Sequence, residues 1–354
     1  MIAALGPLEL ARRDGAPRCT CDGRPEPGFA SDARLALAGG RTVRARQRIA
    51  LFGSLAGFER AAECLREVCG WTLAPNPIAR VCKEEGVALQ GGREADEAER
   101  FRAAPGELER FADGAFVNTV EQGRQQVKRT AVVKREAGPP AAAHDWHQRP
   151  LPKPSAGSCR VAIAAADDFA ADGRPWLAGL GLTMACLLTV FADGAKWIRA
   201  RGAAAFPGGR GVLDFFHRTE KLAETLRTVY SDRPGAVAGW RDSGRRRLLT
   251  HGGHGLCEWV GRRREAEPSA LAATDALLAC AAPHRQHLDY PGQLAAARPI
   301  GSGLIEGAVK QVVGKRLKQT GARWRTASVR PIATLASAQW ADDWERYWSS
   351  QLAA

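Results

Sequence analysis

The chain has 354 residues, and its 51 Lys plus Arg outweigh 38 Asp plus Glu, giving a formal net charge of +13. With 45% hydrophobic and 25% charged residues it can bury a core of one large or two smaller domains, which excludes a disordered chain. The basic excess points to a polyanionic partner, nucleic acid foremost.

Cysteines stand at 19, 21, 64, 69, 82, 159, 186, 257 and 280, without the density of a secreted disulfide scaffold. They read as reduced thiols of a cytoplasmic protein. The first residues, MIAALGPLELARR, put apolar residues before charges, the reverse of a secretory signal. The apolar run Leu177 to Ala192 is 16 uncharged residues. A bilayer needs about 20, so the run reads as a buried helix followed by a buried strand and no membrane is expected.

Residues 1–40 are rich in Gly, Pro, Arg and Ala without an apolar period, and read as a loose arm, possible truncation included. From Leu51 the series Leu51, Leu55, Phe58, Ala61, Ala62, Leu65 and Val68 predicts one amphipathic helix ending near Gly70. A second helix is expected after Pro77, with Ile78, Val81 and Cys82 on its inner face. The pair is compatible with a helix-turn-helix within residues 41–106, a geometry equally common in proteins that never touch DNA. Glu94 to Glu109 reads as a charged helical connector containing Pro105.

Strand patterns follow at Arg110 to Thr119 and Gln125 to Glu136, then a proline-rich loop over Gly138 to Ser158 and a third strand over Cys159 to Ala164. Next come a helix from about Pro175, a strand Cys186 to Ala192, a helix from Ala195, and a strand Gly211 to Phe216. Strand, strand, strand, helix, strand, helix, strand is an α/β layout with a mixed sheet. Residues 218–298 and 302–352 read as helical.

The pentapeptide Phe-Ala-Asp-Gly-Ala occurs at 111–115 and again at 191–195. An acid followed by Gly on an apolar run presents a carboxylate from a rigid strand, so Asp113 and Asp193 are a candidate pair of metal ligands. Asp-Gly also ends strands in ordinary turns, and spacing alone leaves both readings open. Asp172-Gly173 is set aside, with Asp172 expected as a helix N-cap ahead of Pro175. Glu306, one turn into a helix opened by Gly301-Ser302-Gly303, could supply a third acid or be a solvated first-turn residue.

From Gly307 to Arg330 seven basic residues occur without an acid: Lys310, Lys315, Arg316, Lys318, Arg323, Arg325 and Arg330. With Trp324 among them this stretch reads as a surface that tracks phosphates beside a stacking ring. Cys280, His284 and His287, and also His251, His254 and Cys257, have ligand-like spacing, but neither set has the paired spacing of a structural zinc site. There is no glycine-rich phosphate loop with Lys, and hence no expectation of a nucleotide cofactor.

Five segments resemble one family in the right order: DGAFVNT at 113–119, FADGAKWI at 191–198, VLDFFHRTEKL at 212–222, IGSGLIEGAVKQVVGKRLKQTGARW at 300–324 and DDWERYW at 342–348. They are similar to bacterial insertion-sequence transposases with an RNase H-like DDE core, in the Mutator-allied branch of Kra-type insertion sequences. The resemblance implies an α/β fold: an RNase H-like mixed sheet over 107–217, an all-helical insertion over 218–298, and a last catalytic helix with a basic segment over 299–354. A small helical N-terminal domain over 41–106 precedes them. It implies that the first and fourth strands are neighbours, that Asp113, Asp193 and Glu306 are catalytic ligands of two Mg²⁺, with Mn²⁺ as a substitute, and that His217, paired with Asp214, is an accessory catalytic residue. Lys310, Lys315, Arg316, Lys318, Arg323, Trp324 and Arg325 become the DNA-binding set.

The implied partners are double-stranded DNA, as element ends and target, and further copies of the chain in a homodimer or higher assembly. The implied chemistry is metal-dependent strand cleavage at the element ends, then strand transfer into target DNA. Arg124-Gln-Gln-Val-Lys128 and Glu220-Lys221-Leu222 depart from the family's usual Trp-Arg-Glu-Val-Lys and Glu-His. The alternatives are a decayed or reused non-catalytic DNA-binding protein and a structure-directed nuclease on the same fold.

Overall fold

The computed structural model describes residues 2–3, 6–7, 37, 40–192, 196–230, 234–301, 303, 310–319, 321–339 and 343–353. They group into two units, one formed by 1–94, 116–125 and 308–354 and the other by 95–115 and 126–307.

The first unit is built on helices. Helix α1 (Val43–Leu55) starts where the Thr42 side chain accepts the Ala45 N–H, and it stops at Ala56. Helix α2 (Phe58–Cys69) follows at once and closes on Gly70 in the left-handed conformation. The sequence pattern predicts one helix from Leu51 to Gly70; the chain instead breaks at Ala56 and Gly57, so the apolar series straddles two axes. Leu55 and Val68, expected inside, are exposed.

Helix α3 (Pro75–Ala103) buries Ile78, Val81 and Cys82 as the spacing predicts. It absorbs most of the expected connector and ends ahead of Pro105, which disfavours helix in the residue before it. The C-terminal part of the unit holds a π-helical stretch over Lys310–Leu317, then α10 (Thr326–Ala338) and α11 (Asp343–Ala353). Both α10 and α11 pack on α1. From Val329 onward α10 is buried almost without interruption. Gly86 of α3 lies so near it that a Cβ there would run into the carbonyl of Pro331. Glu85 ties three helices together, accepting from Arg46 at 2.8 Å and from the Tyr347 hydroxyl at 2.6 Å.

The second unit carries a five-stranded sheet: β1 (Glu107–Thr119), β2 (Gly123–Arg135), β3 (Ala156–Ile163), β4 (Leu188–Ala192) and β5 (Arg210–Leu213), in the order β3-β2-β1-β4-β5. The tip of the β1–β2 hairpin, residues 116–125, belongs to the first unit. Pairing of β2 with β3 is antiparallel, Val127 opposite Ile163. Pairing of β1 with β4 and of β4 with β5 is parallel. The protein is therefore mixed α/β with a mixed sheet, and every residue of the interior strand β4 is buried.

Between the strands run α4 (Ala166–Gly179) and α5 (Lys196–Ala205), and one core joins Phe101, Val132, Leu177, Leu188, Val190 and Phe206. Helix α4 begins nine residues before Pro175, which lies inside it. Asp172 is consequently no N-cap; its carboxylate takes the Arg160 guanidinium at 3.3 Å. The carboxylates of Asp167 and Asp168 occupy the first turn, where the helix dipole favours them.

The expected strand through Phe216 also ends early. It stops at Leu213 because Asp214 caps α6 (Phe215–Val229), its side chain accepting the His217 N–H at 2.7 Å. Helices then follow: α7 (Pro234–Ala266), bent at Gly252, α8 (Leu271–Ala281) and α9 (Tyr290–Ala295). Among the described residues of 218–298 there is no strand, as the sequence predicts.

Candidate active site

Three parallel strands, β1, β4 and β5, deliver their carboxyl ends to one edge of the sheet. In open α/β sheets that edge is where ligands bind. The two copies of the pentapeptide begin there in register: Phe111 pairs with Phe191, and their rings stack at 4.8 Å and 11°. The stacked pair is fully buried and fixes the relative height of β1 and β4.

Asp113 follows Phe111 by two residues on β1 and is half-buried, its Oδ1 accepting the Gly114 N–H at 2.6 Å. Asp193 follows Phe191 by two residues in the sequence and lies outside the described residues, as does Glu306. Of the predicted triad the structure therefore describes Asp113 alone.

The end of β5 is tightly organised. The Asp214 N–H donates to the Ala192 carbonyl at 2.9 Å, so the last residue of β4 is tied to the start of α6. Tyr290, buried in α9, donates its hydroxyl to the Leu213 carbonyl at 3.0 Å, and burial pushes its phenol pKa up. Asp214 is 1% exposed and acts as a cap. His217 donates its backbone N–H to that cap, while its side chain is exposed at the same edge.

The segment leading to Glu306 departs from this edge as well. Phe215 donates its N–H to the Ile300 carbonyl at 3.0 Å. A Cβ at Gly301 would sit 2.9 Å from Asp214 Oδ2 and 3.0 Å from the Phe216 ring, so only glycine allows this approach.

Among the described residues no three His, Cys, Asp or Glu side chains converge as metal ligands. The hard oxygens of Asp113 suit Mg²⁺ by donor chemistry, and the rest of the implied set falls on the two acids outside the described residues. Members of both Cys/His groupings make other contacts: Cys280 Sγ faces Arg218 Nη1 at 3.5 Å, His287 Nδ1 lies 3.3 Å from the Gly211 carbonyl, and His251 Nδ1 lies 2.6 Å from the Thr250 hydroxyl.

In the first unit, the basic stretch divides by depth. Lys315, Lys318, Arg323, Arg325 and Arg330 are exposed. Lys310 is on the π-helical stretch, its side chain outside the described set.

Arg316 and Trp324 depart from an exposed, stacking surface. The Arg316 guanidinium lies between the Phe58 ring at 4.5 Å and the Trp324 ring at 4.7 Å, and its Nε donates to the Gly53 carbonyl at 2.8 Å. Burial pushes its pKa down to about 10. Trp324 donates Nε1–H to the Leu317 carbonyl at 2.9 Å, and its backbone bridges to Thr119. An Arg flanked by lysines offers no sequence signal that it turns inward; the cause is Phe58, from far along the chain, which closes on the guanidinium opposite the nearby Trp324.

The sequence reading gave no role to the run Arg245-Arg246-Arg247 on α7, whose local charge density was the available signal. Among the described residues no helix is long and apolar enough to cross a membrane. No family model matches the chain, and a search of curated proteins finds no match.

Proposed function

We propose that this protein is a DDE transposase with an RNase H-like catalytic core, cutting DNA at the ends of a mobile element and joining the freed ends to target DNA. The observation that carries the reading is the in-register repeat: Phe111 stacks on Phe191 across neighbouring parallel strands, and in the sequence an Asp-Gly follows each phenylalanine after one alanine. The strand order β3-β2-β1-β4-β5 and the all-helical stretch before Ile300 support it.

Asp113, Asp193 and Glu306 are the proposed metal ligands, and divalent ions held there would activate the attacking oxygen and stabilise the leaving one. His217 stands at the same edge as an accessory group, oriented through the cap that Asp214 makes. Lys315, Lys318, Arg323 and Arg325 are the exposed cations of the proposed DNA-binding stretch. Transfer of two ends requires two active sites, so a homodimer or higher assembly on DNA is part of the proposal.

An excision and integration assay on a plasmid bearing the gene with its native flanks tests it. Movement with the wild type, and none with Asp113→Ala, Asp193→Ala or Glu306→Ala while duplex binding persists, is the expected result. Movement by the acid variants removes these residues from the chemistry. Binding without movement by the wild type favours the non-catalytic DNA-binding protein.

A further inference from the structure

Helix α7 carries four arginines over residues 241–247 against a single acid, Asp242, and that acid already accepts Arg241 Nε at 2.9 Å. Among the described residues, Arg245, Arg246 and Arg247 enter no ion pair. Two hollows open beside them. One, of about 400 Å³, is lined by Ala143, Trp146, Asp242, Arg245, Arg246 and Leu249. The other, of about 280 Å³, is lined by Ser243, Arg246, Arg247, Thr250, His251 and Trp259.

Arg246 lines both. At 3.6 residues per turn each residue advances about 100° around the axis. Residues 242, 245 and 249 then face one direction, residues 243, 247 and 250 another roughly 130° away, and Arg246 falls between them. The first hollow has a rigid wall. Trp146 packs on Phe215 at 5.4 Å and on Phe216 at 5.7 Å, and the Arg245 guanidinium lies 5.8 Å from the Trp146 ring centre. The ring is thereby held in place by protein groups, and the hollow offers the cationic N–H donors of Arg245 and Arg246.

We propose that this face of α7 binds the phosphate backbone of duplex DNA, consecutive phosphates seating in the two hollows with Arg246 bridging them. Guanidinium groups match phosphate oxygens in fork geometry, and Arg246 and Arg247 both line the second hollow. Contacts of this kind position a duplex without reading its sequence. The inference rests on the proposed function only for the choice of DNA as the polyanion.

The test is fluorescence anisotropy of a labelled duplex of arbitrary sequence titrated with the full chain in EDTA, repeated over a range of salt concentrations. Each phosphate contact contributes about 0.9 to the slope of log K against log salt. The double variant Arg246→Ala/Arg247→Ala is expected to lower that slope by about 2. Arg246→Lys/Arg247→Lys is expected to retain it, and so is Arg262→Ala, at the far end of the helix where the side chain faces Glu258. Should the double alanine variant fail to fold, Arg246→Gln at its exposed position is expected to lower the slope by about 1.

An unchanged slope in the neutral variants, or a wild type without salt-dependent binding, overturns the inference. Loss of excision in the acid variants, or its absence in the wild type, is read in a separate assay and bears on the transposase reading alone.

Discussion

Arg316 shows how far one residue's role can depart from its neighbours' in sequence. Lys315 and Lys318 reach solvent, whereas Arg316 bridges two aromatic rings and satisfies the Gly53 carbonyl. Desolvated cation–ring contacts contribute about 2 kcal/mol, and an orphaned buried acceptor costs about 1–3 kcal/mol. Arg316→Ala is accordingly expected to lower the unfolding free energy by about 2–4 kcal/mol in urea titrations. Lys315→Ala is expected to change it by no more than about 0.5 kcal/mol while weakening duplex binding. Equal stability of the two variants would refute the interior role. Composition made the basic stretch legible, but which members turn inward depends on Phe58 and Gly53, more than 250 residues away in the chain, and no local pattern encodes that.

At the scale of elements, β1 and β2 share a buried ion pair. Arg135 Nε donates to both carboxylate oxygens of Glu109, at 3.1 and 3.2 Å. Burial outweighs the guanidinium, so the Glu109 pKa lies above its ordinary 4.5. The folded state then holds its proton longer than the unfolded state does, and stability declines as pH rises from 4.5 through the raised value. Urea midpoints taken across that window should show the decline in the wild type and not in Glu109→Gln.

Removing one partner strands the other charge, and Glu109→Leu should cost about 3–5 kcal/mol. Glu109→Leu/Arg135→Met should recover most of the loss, because the pair itself adds little beyond well-packed apolar side chains. A double variant as unstable as the single one would contradict this account.

The strands of this sheet were readable to within a few residues, since valine-rich alternation is a local property. Helix boundaries were read less well. The break at Ala56 and Gly57 and the start of α4 at Ala166 carry no capping side chain that a pattern could show, and the end of β5 is decided by the Asp214 side chain. Of the candidate site, the paired pentapeptides were visible as a repeat. Their register emerges only when β1 and β4 lie side by side.

The whole molecule is assembled from chain segments that interleave. The unit holding α1 and α2 also takes in the hairpin tip 116–125 and the C-terminal residues 308–354. A chain ended at Gly307 lacks α10, whose buried face meets α1. Hydrogen exchange on that shortened chain is expected to show β1, β2 and β3 still protected and α1 and α2 exchanging freely. Retained protection in α1 and α2 would show that the N-terminal helices stand without their C-terminal partner.

That interleaving also has a bearing on synthesis. A ribosome extends the chain at roughly 5–20 residues per second, so residues 43–94 emerge on the order of tens of seconds before α10 and α11 exist. During that interval the apolar faces of α1 and α3 have no native cover and are natural clients for a holding chaperone. A premature stop codon anywhere in the intervening reading frame would therefore do more than remove a tail. It would leave a finished N-terminal segment waiting for a partner that is never translated, and a quality-control protease would meet it unfolded.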